Sequence, residues 1–180
     1  MNLPEELVQY LVYFHTERDF FECHEVMEEY WKKQGRGPYE PVWRGLIQLA
    51  VALYHERRGN VRGAVIMLAS AKAKLDRQET EQVGIDRHRL VQVIASRLEQ
   101  LEKQPETPYT DMDIPIDDPL MEQCLKLAAE QNVVWGTPSS MDNLEVVEKH
   151  RRRDRSEVIE ARRASLEKRM AKRKTVHPRV

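Results

Sequence analysis

The stretch FECHEVMEEYWKK, Phe21 to Lys33, sets His24 beside Glu25 and one helical turn before Glu28, with Glu22 two residues ahead. An imidazole and carboxylates at this spacing are donors that a divalent metal accepts, and a carboxylate near a metal-bound water is the general base of many hydrolases. The pattern departs from HExxH because Glu28 stands where the second histidine would be. A second supplier lies downstream. Arg44, Gln48 and His55 fall close to one line of a helix, at steps of four and seven, and Asn60 follows on the next turn.

At ~100° per residue, Phe20, Cys23, His24, Met27 and Trp31 share one helix face, while Glu22 and Glu29 point away. Glu28 then lies at the edge of the core, where its charge needs a cation, hydrogen-bond donors or a metal. Consecutive helices with a short connection pack together, so the polar line of the second helix is expected to face the first.

Two readings follow. In one, His24, Glu28, Arg44, Gln48, His55 and Asn60 form a buried hydrogen-bonded cluster that sets helix register, with Arg44 or a protonated histidine neutralising Glu28. In the other, His24, Glu28 and His55 bind a divalent metal as a two-histidine, one-carboxylate set, with Glu25 or Glu22 as catalytic base. A metal-free ligand pocket at the same place is a third arrangement. Trp31 and Trp43 read as core anchors rather than ligand platforms.

The elements that must position these residues are helical. Pro4, Glu5 and Glu6 open a short helix, and Asp19 with Glu22 forms a capping pair for the next. GRGPYEP, Gly35 to Pro41, is a connection. A central helix over 42–58 is apolar on nearly every side, RGN ends it, and helices over 61–75 and 86–103 follow. Strand-like alternation is missing, so the fold class is all-α, an antiparallel multi-helix bundle over residues 3–103. Three prolines and four aspartates over 104–118 read as a linker, 119–133 as an accessory helix, and 142–180 as a basic helix started by Asp142 and Glu145.

Glu22-Cys-His24-Glu25-Val-Met-Glu28-Glu-Tyr-Trp31 together with GLIQLAVALYHERRGNVRGAVIML, Gly45 to Leu68, resembles the bacterial and archaeal domain-of-unknown-function family 309. The resemblance spans roughly residues 13–75. It implies a small all-helical bundle and a metal-dependent hydrolase activity of undefined reaction. The family pattern falls on Glu22, His24, Glu25, Glu28, Trp31, Gln48, His55 and Asn60.

The formal net charge of −1 hides a division. Residues 145–180 hold thirteen Lys/Arg and six Asp/Glu, a balance of +7, which leaves −8 for the residues before them. Such a segment attracts RNA or an acidic partner, including the acidic body of a second copy in a homo-oligomer. No aromatic residue follows Trp135, which argues against base-stacking recognition. The longest apolar run, Leu46 to Tyr54, is too short to cross a bilayer, and the start carries acids instead of a basic leader. A cytoplasmic protein without a membrane span is expected. Cys23 and Cys124 read as buried thiols.

Overall fold

The computed structural model describes residues 3–152, and the side chains of 3–150. The chain divides into two compact units, Met1–Glu148 and Lys149–Val180. Helices α1 (Glu5–His15), α2 (Phe20–Gln34), α3 (Glu40–Arg57), α4 (Val61–Leu75), α5 (Gln78–Gln82), α6 (Arg87–Lys103), α7 (Asp118–Glu130) and the single turn α8 (Leu144–Val147) lie in the first unit. The described part of the second is the turn α9, Lys149–Arg152. Among the described residues one isolated antiparallel bridge, Ile85 with Ile116, is the whole of the β structure, and the protein is all-α. The expected continuation of a basic helix beyond Arg152 lies outside the described residues.

Local chemistry sets the helix starts. Asp19 accepts the Glu22 amide at 3.1 Å, Asn60 the Gly63 amide at 3.0 Å, Asp86 the Arg89 amide at 3.0 Å and Asp117 the Leu120 amide at 2.9 Å. Each satisfies one donor that the helix geometry leaves free. The expected pairing of Asp142 with Glu145 is replaced. Asn143 is the N-cap, without a side-chain cap bond, and α8 ends at Glu148 after one turn.

Helix α3 is the axis of the first unit, packed between α2 and α4, with α1 against α2 and α7, and α6 against α4. Val42, Leu46, Leu49, Ala50 and Leu53 of α3 are all fully buried. Gly45 lets α4 come close, because a Cβ there would sit 2.7 Å from the Leu75 Cγ. Residues 104–117 run without helix, yet Met112 and Ile114 join the same core as Leu120 and Cys124 of α7. Backbone bonds from Asp86 to Pro115 at 2.9 Å and from Asp117 to Gly84 at 2.8 Å tie that segment to the start of α6.

Candidate functional site

The three chemistry-bearing residues of the opening stretch do converge. His24, Glu25 and Glu28 each offer one ligand atom within 4.8 Å of the others. Glu25 Oε1 lies 3.1 Å from His24 Nδ1, and Glu28 Oε2 lies 3.7 Å from His24 Nε2, so the carboxylates flank the ring on its two nitrogens. Lys32, one turn further, holds Glu28 Oε1 at 3.2 Å. Glu28 is therefore balanced from its own helix. The distant Arg44 does not do so: it contacts Glu40 at 3.4 Å and lies over the Trp31 ring at 5.6 Å.

The cluster is half-buried instead of enclosed. Side-chain exposures are 27% for His24, 34% for Glu25 and 32% for Glu28. The buried residues of α2 are Phe20, Cys23 and Met27. His24 is one residue, about 100°, beyond Cys23, which places it at the border of that stripe, tilted against Phe21 at 6.3 Å. Trp43 is buried and Trp31 is partly so.

The remaining predicted site residues take other places. His55 does not belong to the donor group; its Nδ1 accepts a 3.0 Å hydrogen bond from Asn60 Nδ2, while Asn60 Oδ1 caps α4. One amide thus locks the last turn of α3 to the first of α4. Burial, aided by the Arg58 charge, lowers the His55 pKa from its ordinary value and favours that neutral acceptor. Gln48 keeps a buried Oε1 without a partner among the described residues. Its level is opposite the middle of α2, since Phe21 meets Tyr54 and Trp31 meets Arg44 across the same antiparallel pair. Glu22 stays partly buried beyond the Asp19 cap and outside the donor group.

A second polar centre escapes sequence reasoning altogether. Arg57, 4% exposed, donates from Nη1 to the Arg18 carbonyl at 2.7 Å and lies over the Phe20 ring at 4.6 Å. Arg18, at a positive φ of 53°, donates to the Thr137 and Met112 carbonyls at 2.9 and 3.1 Å and to Asp113 at 2.9 Å. Asp111 accepts from the Ser139 amide at 2.6 Å, the Ser139 hydroxyl at 2.5 Å and the Tyr109 hydroxyl at 3.1 Å. Burial alone would raise the Asp111 carboxyl, but the Ser139 bonds and the Arg18 charge hold it below the usual range. Arg97 pairs with Glu56 at 2.5 Å and with Thr110, and burial still pushes the Glu56 carboxyl up. The missed signal was spacing: Leu49, Ala50, Leu53, Glu56 and Arg57 share the buried face of α3 at steps of three and four.

His15 completes this centre. Its Nδ1–H donates to the Leu11 carbonyl at 2.9 Å, its Nε2 accepts the Ile114 amide at 3.0 Å, and its ring stacks on Trp135 at 4.3 Å. Both nitrogens are committed to the neutral form, and burial lowers its pKa to about 4.

The model of the family described as "Domain of unknown function (DUF309)" matches residues 7–67. Over 173 residues, 94% of this chain and 98% of the relative, the sequence is 39% identical to the "Uncharacterized protein YpuF" of Bacillus subtilis (strain 168). The chain belongs to the DUF309 family. No solved structure matches it. The DUF309 match covers most of α1, all of α2 and α3 and part of α4, and so contains the His24 cluster, the His55–Asn60 lock and Arg57. Asp111 and Ser139 of this DUF309 protein lie beyond the matched span. Among the described residues no helix is long and apolar enough to cross a membrane.

Proposed function

We propose that this DUF309 protein is a cytoplasmic ligand-binding protein whose site is the outer face of α2, where His24, Glu25 and Glu28 take a divalent cation. The convergence of one imidazole and two carboxylates within 4.8 Å carries the reading. The donor set fits such an ion: nitrogen and oxygen ligands together suit zinc, manganese or iron, and partial exposure leaves room for water or substrate. A cation held there supplies Lewis acidity and lowers the pKa of bound water. Glu25 replaces His55 in the set first expected, because His55 is engaged by Asn60. Metal-dependent hydrolysis is the narrower form of the proposal, with Glu22 left as the base once Glu25 serves as a ligand.

Titration calorimetry of tag-free protein with zinc and with manganese tests this. One equivalent is expected to bind to the wild type, and His24→Ala and Glu28→Gln to weaken binding about 10-fold or more. His55→Ala is expected to retain it. Half-exposure of His24 lets the variant keep its helical circular dichroism, which separates a lost ligand from a lost fold. Absence of stoichiometric binding, or equal loss in His55→Ala, refutes the assignment.

A further inference from the structure

A cavity of about 280 Å³ lies between the turn after α1, the end of α3 and the segment 133–146, with Arg57, Thr137, Ser140, Asn143 and Val146 in its lining. It is remote in composition from the His24 face and shares no residue with it. The Arg57 guanidinium has five N–H donors. Its one short bond leaves from Nη1, to the Arg18 carbonyl at 2.7 Å. The contacts to the Ser139 hydroxyl and the Val146 carbonyl are both at the 3.5 Å limit, and Nε finds no acceptor among the described residues. A donor left unpaired at that depth is costly, so an acceptor is called for.

We infer that this cavity is a binding site for a small oxyanion, a carboxylate or phosphate group, anchored by Arg57. Nε and Nη2 form one edge of the guanidinium, the fork that two oxygens of a carboxylate or phosphate bridge, whereas Nη1 on the other side is spent on the backbone. Two carboxylates, Asp19 and Asp111, are felt at Arg57, but neither bonds Nε: Asp19 caps α2 through the Glu22 amide, and Ser139 and Tyr109 occupy the Asp111 oxygens. Ser140 and Asn143 add a hydroxyl and an amide to the lining, Val133, Val134 and Val146 accommodate a short carbon skeleton, and Glu17 also lines the cavity, so the anion must seat on the Arg57 side. The volume lies just below the ~300 Å³ at which ordinary small-molecule pockets begin, which suits a small ligand.

The test follows the Arg57 Nε–H resonance in proton–nitrogen spectra of the full chain. Sodium acetate and sodium phosphate are titrated separately against sodium chloride at constant ionic strength. A saturable shift is expected with at least one of the two, and which one responds identifies the class of oxyanion. Because Arg57 also holds Arg18, the pocket is blocked from its exposed lining by Ser140→Phe, which leaves the Arg57 bonds in place. Affinity is expected to fall about 10-fold or more in that variant, the scale of a lost charge-assisted bond. If neither anion moves the resonance beyond the chloride control, or if Ser140→Phe titrates like the wild type, the inference is wrong.

Discussion

Acid should destabilise this protein through His15 before the ordinary carboxylates titrate. In the folded chain the ring is 2% exposed, gives its Nδ1–H to Leu11 and uses Nε2 to accept from Ile114, so a second proton has no place to bond. Burial takes its pKa from 6.5 to about 4. The unfolded chain therefore binds the proton first. His15 costs nothing above about pH 6.5, and stability declines as the pH falls from there toward about pH 4, where the loss is complete. At ~1.4 kcal/mol per unit, the difference amounts to about 3 kcal/mol, a large part of a typical domain's total stability. Urea unfolding of wild type and His15→Gln between about pH 7 and pH 4 isolates the effect, since other titrating groups are common to both proteins. The wild type's lead over the variant, whatever its size at neutral pH, should shrink by about 3 kcal/mol across that range. A lead constant to within about 0.5 kcal/mol, or a folded-state His15 resonance titrating near its ordinary pKa, would refute the reasoning.

Two further outcomes are expected. Asn60→Ala removes both the α4 cap and the His55 bond and should cost about 1–2 kcal/mol in thermal unfolding; an unchanged midpoint would mean the α3–α4 lock contributes nothing. Removing residues 144–180 takes away thirteen Lys/Arg against six Asp/Glu, and the proposal that residues 145–180 attract RNA or another acidic partner expects low-salt binding to single-stranded RNA to disappear with them. RNA binding that survives the truncation ends that proposal.

Much of the fold was legible because helix starts and stops are local chemistry. Pro4 ahead of Glu5 and Glu6, Asp19 three residues before Glu22, and the break at RGN mark boundaries that the structure keeps within a few residues. At Asp142 the same reasoning is off by one residue: Asn143 is the N-cap, and α8 is the single turn Leu144–Val147. The His24 cluster was partly legible for a similar reason. Its contacts run between residues one and four apart on one helix, and any α-helix brings those together. Its burial was not legible, because a residue at the border of a stripe is covered or uncovered by the neighbouring helix.

By itself, then, the sequence determined an all-α chain, the approximate bounds of its main helices, and the placing of His24, Glu25 and Glu28 within one turn of each other. Only the tertiary structure decided that His55 serves Asn60 instead of His24, and that Arg18, Arg57, Asp111, Tyr109 and Ser139 share one buried centre. Contacts of that centre span up to 119 residues, as between Arg18 and Thr137. Periodicity fixes which face of a helix a side chain occupies, but the meeting of two faces depends on how every helix packs around α3.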